Sequence, residues 1–347
     1  MSVNLQNYRD FSDWSNQWKN LLNFIIDIEK INHSEGFETK IDQIIREYDP
    51  LLWSSYRKGD MSNISYENHT FQLAYLLRYF ALYSSTIECI DSRNNFLDEI
   101  FISDAVNGPE KNSQEKFYIS IFGGGSAPEA LSLIRSLTNR VWINKIWTKD
   151  LHLSNIGLYF SIFDKHTWNT GRKFIKNMIS KEVSLFCNSL NLEKSENFIK
   201  TFFNERKMNI KDEESLSYKN YQDLIIFQFS LTEFRDLIGH EELTKKIHQI
   251  SKNLSPNGKL IFIERDHSST PWDFFESFEQ STDLNLQTYE HLVHEAQAYR
   301  EIPKFISQIY RRVSRNISRI NRFMFKIYGY QKKDDSIILK DETTEPF

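Results

Sequence analysis

The sequence contains little cysteine: two residues, Cys89 and Cys187, in a chain of 347. Two cysteines form neither a disulfide framework nor a zinc site, and they fit a reducing compartment, so we expect a cytoplasmic protein without a structural metal. No apolar run reaches the roughly 18 residues of a membrane-crossing helix. The opening MSVNLQNYRDFSD lacks the basic-then-apolar order of a signal peptide. We therefore expect neither a membrane span nor a secretory leader.

Glycine is also scarce, at 11 residues, whereas aromatic residues make up 14% and hydrophobic residues 40% of the chain. This composition excludes a disordered protein. A chain of this length can bury a large core, and we expect one large domain with an extension. The net charge of -4 does not by itself indicate a nucleic-acid partner.

Three of the glycines are consecutive, in the stretch FYISIFGGGSAPEAL from Phe117 to Leu131. The apolar run stops at the glycines and a helix start follows at once, which predicts a buried strand that turns sharply into a helix. Gly123 and Gly125 provide the backbone freedom for the turn and allow a ligand to approach the main chain closely.

The helix start carries its own signals. Ser126 is a suitable N-cap, and Glu129 lies three residues on, at the spacing of a capping box. Pro128 suits the first turn, where a missing N–H has no cost. The free N–H groups of such a helix end point at whatever occupies the mouth of the turn.

Two further stretches are typical of buried parallel strands. Residues 221–231 read YQDLIIFQFSL, and residues 254–265 read LSPNGKLIFIER, with a Pro-Asn-Gly turn before the apolar run. Three buried strands separated by helical segments predict a doubly wound α/β sheet.

The motifs GGGSAPEA, DLIIFQFSLTEF and LSPNGKLIFIERD resemble those of class I S-adenosylmethionine-dependent methyltransferases, over roughly residues 116 to 333. The resemblance implies a sheet of seven strands, S-adenosylmethionine as the cofactor and methyl transfer as the activity. It also implies that Gly123, Gly124 and Gly125 contact the cofactor. Together with Asp164 and Trp168, the motifs are similar over a short match to fungal methyltransferases that modify uridine N3 in large-subunit ribosomal RNA.

One position departs from the family. The residue two before the first glycine is often an acid that holds the amino end of the cofactor, and here it is Ile121. Ser120, Glu129 or Glu233 are the candidates to replace it. The departure also keeps open a degenerate methyltransferase fold that serves as a scaffold without catalysis.

Residues 1–112 have helical periodicity and predict an all-helical N-terminal domain, followed by the methyltransferase domain over 113–335 and a polar tail over 336–347. One predicted helix spans Asn68 to Ile90. Two interpretations of the N-terminal aromatic residues are open. They pack a core, or they form a cap over the active site from which some side chains reach the substrate. The candidates for that contact are Tyr66, Tyr75, Arg78 and Tyr79.

The second strand has two candidates. One is Val141 to Trp147, closing at Asp150, and the other is Gly157 to Asp164, which we favour slightly. The acid at the strand end would hydrogen-bond the ribose hydroxyls of the cofactor. For each of the two acids, capping of a helix is an alternative interpretation with the same support.

The third strand is expected at Phe198 to Phe203, so that Asn204 follows its end. In the family this corner contacts the adenine, which makes Asn204 a candidate cofactor ligand.

The end of the fourth strand, Gln228-Phe229-Ser230, would hold the methionine end of the cofactor or position the acceptor. Gln228 and Ser230 can hydrogen-bond an acceptor, and Glu233 can take a proton. Ordinary capping of a helix over 233–254 is the alternative interpretation. His267, after the fifth strand, is a candidate general base, with an exposed loop histidine as the alternative.

A basic stretch is the remaining feature. Residues 302–331 contain no Asp or Glu, and they are predicted to start with a long helix and to end in a strand at Phe323 to Tyr330. Arginines repeat at helical steps there and favour a phosphate-rich partner, although a solvated helix face explains them too. RNA is thus the favoured acceptor, and a small molecule under an aromatic helical lid is the alternative. The candidate polyanion ligands are Arg311, Arg312, Arg315 and Arg319. The helical spacing predicts one shared face for Arg311, Arg315, Arg319 and Arg322.

Overall fold

The computed structural model describes residues 14–31, 36–58, 65–94, 96–101, 115–143, 156–189, 199–208, 210–211, 220–265, 272–280, 286–288, 294–299, 302–313 and 322–332. The helices are α1 Trp14–Glu29, α2 Phe37–Lys58, α3 His69–Tyr83, α4 Thr86–Asn94, α5 Phe96–Phe101, α6 Pro128–Ile143, α7 Asn169–Ser189, α8 Leu231–Ile238, α9 His240–Ser251, α10 Trp272–Gln280 and α11 Lys304–Val313. The strands are β1 Glu115–Phe122, β2 Ile156–Asp164, β3 Ile199–Lys207, β4 Gln222–Gln228, β5 Leu254–Arg265, β6 Leu286–Thr288, β7 His294–Tyr299 and β8 Arg322–Lys332.

The strands form one sheet in the order β3-β2-β1-β4-β5-β8-β6, with β7 also paired to β8. Strands β1 to β5 are parallel, and β8 runs antiparallel to β5. The doubly wound α/β sheet is therefore confirmed. The expected count of seven strands is not matched, because β6 and β7 are separate strands that pair with successive parts of the same edge of β8.

Helices cover the sheet on both faces. Alternate residues along β1 point to opposite sides, so that Ile121 joins one core and Phe122 the other. The first core contains α1 to α7 and α11, and the second contains α8, α9 and α10. The N-terminal helices thus share one continuous core with a face of the sheet. The division at residue 112 stays a prediction.

Of the two candidates for the second strand, the one that ends at Asp164 is confirmed as β2. The other is wrong, because Val141 belongs to α6, which runs to Ile143. Asp150, the acid expected at its end, lies outside the described residues.

The third strand is longer than expected. It continues to Lys207, so Asn204 lies inside β3 opposite Ser161 and is exposed. The expected strand end before Asn204 is wrong, because the backbone of residues 204–207 continues to pair with β2. The adenine contact of Asn204 stays a prediction.

Two expected helices are each divided in two. Gly239, with φ of +82°, separates α8 from α9. In the N-terminal half, Ser84 and Ser85 separate α3 from α4, and their hydroxyls donate to the carbonyls of Phe80 and Leu82. Side-chain bonds to the backbone of this kind compete with helix continuation.

The basic stretch does not form one helix. Helix α11 ends at Val313, and Arg322 is the first residue of β8. The expectation that Arg322 shares a helix face with Arg311 is therefore wrong, whereas the strand expected at Phe323 to Tyr330 is confirmed. Arg311 and Arg312 are exposed in the last turn of α11, and Arg315 and Arg319 lie outside the described residues.

None of the described helices has both the length and the apolar content that crossing a bilayer requires. Within the described ranges, no group of three or more His, Cys, Asp or Glu side chains is arranged to hold a metal ion.

Candidate active site

The candidate site lies at the carboxyl ends of β1 and β4. Strand order runs from β1 towards β2 and β3 on one side and towards β4 and β5 on the other. Ligands of open α/β sheets bind in the crevice at such a switch point. The glycine loop, residues 123–127, connects β1 to α6 at this place.

The glycine loop adopts backbone conformations that favour glycine. Gly123 and Gly125 have φ of +66° and +49°. A Cβ atom on Gly123 would lie 2.5 Å from the Cβ of Ser230, and one on Gly125 would lie 3.3 Å from the ring of Trp168. The loop is therefore closely packed between the end of β4 and the segment after β2.

The helix start differs from the expected capping box. Ala127 has a positive φ of +64°, and α6 begins at Pro128. Pro128 thus occupies the first turn as expected. Ser126 is 1% exposed, and its Oγ has no hydrogen-bond partner among the described residues, so it does not act as the cap.

Asp164, at the end of β2, binds the glycine loop. Its Oδ2 accepts a hydrogen bond from the backbone N–H of Gly125 at 2.8 Å. Its Oδ1 accepts from the backbone N–H of His166 at 2.8 Å and from Nε1 of Trp168 at 3.1 Å. Because a carboxylate offers about four lone-pair positions, one position is left for another donor.

Arg172 holds the same loop from the other side. Its Nε donates to the carbonyl of Gly125 at 3.0 Å, and its Nη1 lies 3.0 Å from Glu205 of β3. Both backbone polar groups of Gly125 are thus bound by charged side chains, which fixes the orientation of the loop.

Glu129 is buried beside the loop, 2% exposed, and its Oε2 is without a partner in the described part of the chain. Burial raises the pKa of Glu129 to about 8; the negative charge of Asp164 adds to the rise, and a hydrogen bond from its own backbone opposes it. A cationic ligand bound to this free oxygen would favour the ionised form of the carboxyl group.

The end of β4 is tied to its neighbours. The Oε1 of Gln228 accepts a hydrogen bond from Thr86 of α4 at 2.7 Å, while its Nε2 is buried and unpartnered within the described ranges. Phe229 has φ of +54°, a strained conformation for a bulky residue. Its N–H donates to Ile263 of β5 at 2.8 Å.

Ser230 is 2% exposed, and its Oγ donates to the carbonyl of Phe122 at 3.3 Å. The backbone N–H groups of Ser230 and Leu231 both donate to Glu264 Oε1, at 3.0 and 2.9 Å. Glu264 of β5 is therefore the cap of α8. Glu233 lies on α8 and is exposed as a whole residue, whereas its carboxyl group is partly desolvated. This desolvation, followed by the charge of Asp164, raises the pKa of Glu233.

Helix α3 supplies an aromatic roof for the crevice, formed by Tyr75, Tyr79 and Tyr83. All three are buried, and neighbouring rings contact each other at centroid distances of 4.9 and 5.0 Å. Tyr75 contacts Trp168 at 4.8 Å, and Tyr83 contacts Phe229 at 4.5 Å. The roof thus extends from the segment after β2 to the end of β4.

The remaining N-terminal candidates have different positions. Tyr66 packs against Trp168 at 4.7 Å, beside the roof. Arg78 instead forms a buried ion pair with Asp49 of α2. Gln72 accepts a hydrogen bond from the backbone N–H of Gly171 at 2.9 Å and connects α3 to the start of α7.

The structure therefore brings most of the expected site residues together. The expected residues around the crevice are Gly123, Gly124, Gly125, Glu129, Asp164, Gln228, Phe229 and Ser230. Asp150 and His267 lie outside the described residues. The sequence does not predict the roles of Thr86, Arg172 and Glu264, because these roles come from contacts between distant parts of the chain. For Glu264 alone there was a signal, its position as a polar residue at the end of a buried strand.

No protein-family model and no curated protein matches this chain. Several solved structures match it. An O-methyltransferase family protein from Burkholderia thailandensis is 13% identical, with a TM-score of 0.39, over 85% of this chain and 73% of that one. A loganic acid methyltransferase with SAH is 8% identical, with a TM-score of 0.41, over 79% and 98%. An rRNA methylase from Streptococcus thermophilus is 10% identical, with a TM-score of 0.34, over 71% and 97%.

Proposed function

We propose that this protein transfers the methyl group of S-adenosylmethionine to a nitrogen or oxygen acceptor. One observation carries the proposal. Three buried side-chain atoms around the carboxyl end of β1 have no partner among the described residues, namely Ser126 Oγ, Glu129 Oε2 and Gln228 Nε2. Because buried polar groups are normally satisfied, they indicate a polar ligand at the switch point.

The donor set fits the methionine end of the cofactor. The carboxylate of Glu129 suits an ammonium group and replaces the acid that the family often has at the position of Ile121. Ser126 adds a hydroxyl whose Oγ has no partner among the described residues. At the ribose end, Asp164 keeps one free lone-pair position beside the bonds that it makes to the protein.

When bound, the cofactor supplies an electrophilic methyl carbon on its sulfonium. The protein aligns the acceptor and receives its proton. Gln228 Nε2 is available to donate to the acceptor. Glu233, whose pKa is raised, is a candidate to take the proton, as is His267. The roof of α3 excludes water from the crevice.

RNA is the acceptor that we propose first. Lys165 and Lys207 are exposed at the carboxyl edge of the sheet beside Asp164, and a second pair of exposed cations, Arg311 and Arg312, ends α11. Exposed cations at the mouth of a site support a polyanionic acceptor. A similarity to uridine-N3 methyltransferases would make the target a uracil base, and this stays a prediction.

A small planar molecule is the second candidate, and the aromatic roof favours it. Neutralising Lys165 and Lys207 would lower activity on RNA and make that activity less dependent on salt, whereas activity on a small acceptor would be unaffected. Substitutions of Tyr75 or Tyr83 would lower activity on either acceptor.

The test is calorimetric titration of S-adenosylmethionine and S-adenosylhomocysteine into the wild type and Glu129→Gln. We expect micromolar binding to the wild type and binding weaker by at least about tenfold, or 1.4 kcal/mol, in the variant. Transfer of a labelled methyl group to total RNA then tests the acceptor. A folded wild type that binds neither compound, by itself or with RNA, would overturn the proposal in favour of a scaffold.

A further inference from the structure

A groove outside the candidate active site lies between α7 and the edge strand β3. Its volume is about 320 Å³, and its lining residues are Asn169, Arg172, Lys173, Lys176, Asn177 and Glu205. We call it the α7–β3 groove. Three of these six side chains are cationic and one is acidic.

Arg172 connects this groove to the glycine loop. The residue is 4% exposed, and two of its guanidinium nitrogens bind Gly125 and Glu205. The third, Nη2, is buried and has no partner in the described part of the chain. A buried guanidinium donor left without an acceptor is costly, so an acceptor supplied by a ligand would stabilise it.

The remaining charges favour an anion. Although burial raises it, the pKa of Glu205 is lowered overall by the hydrogen bonds from Lys176 and Arg172, so Glu205 is ionised and offsets one of the cations. Lys173 is exposed, and its ammonium has no ion-pair or hydrogen-bond partner among the residues described. The groove therefore retains an excess of positive charge.

The chemistry of the donors suits phosphate. A guanidinium presents planar N–H donors that match phosphate oxygens, and a neighbouring ammonium adds a flexible positive charge. The groove also begins at the N-terminus of α7, a helix of 21 residues, where partial positive charge favours anions.

We propose that the α7–β3 groove binds a phosphate group, through Arg172 Nη2, Lys173 and Lys176. S-adenosylmethionine carries no phosphate, so this ligand is separate from the cofactor, and the inference does not depend on methyl transfer. Because Arg172 also binds the carbonyl of Gly125, the phosphate would lie one side chain away from the glycine loop. The phosphate belongs either to a nucleic-acid backbone or to a small phosphorylated molecule.

The experiment uses the full chain and two probes: pyrophosphate by calorimetry, and a labelled single-stranded oligoribonucleotide by fluorescence anisotropy at several salt concentrations. Lys173→Glu is the test variant. Lys181→Glu is the matched control, since it makes the same charge change on the same helix, roughly 12 Å further along, at an exposed residue outside the groove.

We expect Lys173→Glu to weaken binding of at least one probe by at least about tenfold relative to Lys181→Glu. Weaker binding of the oligoribonucleotide, with or without weaker binding of pyrophosphate, assigns the groove to a nucleic-acid phosphate, and weaker binding of pyrophosphate alone assigns it to a small phosphorylated ligand. Equal binding by the two variants, or no binding of either probe to the wild type, would overturn the proposal. Titration of S-adenosylmethionine is read separately and should be the same in both variants.

Discussion

The carboxylate of Asp164 accepts a hydrogen bond from the backbone N–H of Gly125 across 2.8 Å. The bond joins the end of β2 to the turn after β1, 39 residues earlier in the chain. Asp164 was expected as a ribose ligand, and in the folded chain it also orders the loop that would receive the cofactor. Preorganising the loop lowers the entropy that ligand binding would otherwise cost.

Asp164→Asn should therefore lower both stability and cofactor affinity. The new amide has one N–H₂ group in place of a carboxylate oxygen, and that group meets N–H donors of Gly125 or of Trp168 and His166. Leaving such donors unsatisfied costs about 1–3 kcal/mol. Urea unfolding and calorimetry would measure the two effects. Asp236→Asn is the control, since the Asp236 side chain is 54% exposed, and an equal loss in both variants would contradict this role of Asp164.

Gly125→Ala and Gly239→Ala form a matched pair. Both glycines have positive φ, +49° and +82°. An added Cβ at Gly125 lies 3.3 Å from Trp168, whereas no described atom lies within 4 Å of one at Gly239.

Each substitution should cost about 1–3 kcal/mol of stability from backbone strain. Only Gly125→Ala should also weaken binding of S-adenosylmethionine, because it moves Trp168 against the loop. Thermal unfolding and calorimetry on both variants would check this. Equal affinities in the two variants would show that the loop is not the binding site.

Local signals explain what the sequence predicts correctly. The apolar run before Gly123, the glycine turn and Pro128 lie within a few residues of each other, and so do the apolar run and the terminal acid of β2. Such signals identify a strand, a turn and a helix start without knowledge of the rest of the fold.

Contacts between distant residues explain what the sequence does not predict. Glu264 caps α8 from 33 residues away, and Thr86 binds Gln228 from 142 residues away. The prediction that the arginines share one helix face is wrong for a related reason. A helical spacing continues from Arg311 to Arg322 in the sequence, yet pairing with Tyr299 of β7 makes Arg322 part of a strand. Tertiary pairing overrides local periodicity there.

Thr86→Val tests whether the N-terminal helices complete the site. The Thr86 hydroxyl lies 2.7 Å from Gln228 Oε1 and 2.9 Å from the carbonyl of Tyr83, and valine keeps the shape of threonine but removes both hydrogen-bond contacts. Gln228 would become free to rotate, so methyl transfer should slow while cofactor binding stays unchanged. A stability loss of about 1 kcal/mol is expected. Single-turnover rates and calorimetry separate the two effects. Thr244→Val on α9 is the control, since its hydroxyl bonds only its own helix among the contacts described.

The pKa of Glu129 predicts how stability depends on pH. In the unfolded chain its pKa is near 4.5, and burial raises it to about 8 in the fold. The folded protein therefore holds the proton more tightly, and between these values stability falls as pH rises, by up to about 1.4 kcal/mol per pH unit. Below pH 4.5 both states are protonated and the effect vanishes. Glu129→Gln should remove this loss, so its melting temperature should exceed that of the wild type more at pH 8 than at pH 5.

The same pKa of Glu129 predicts proton release on cofactor binding. Near pH 7 the free protein holds this carboxyl mostly neutral, since its pKa is about 8. An ammonium group beside Oε2 would favour the ionised form and lower that pKa, so binding should release close to one proton and tighten as pH rises from 6 to 8. Calorimetry of S-adenosylhomocysteine in buffers of different ionisation enthalpy measures the release. Glu129→Gln should release none and bind with little pH dependence. If the variant shows the same release as the wild type, the ammonium group binds elsewhere, and Glu129 does not replace the acid that the family has at the position of Ile121.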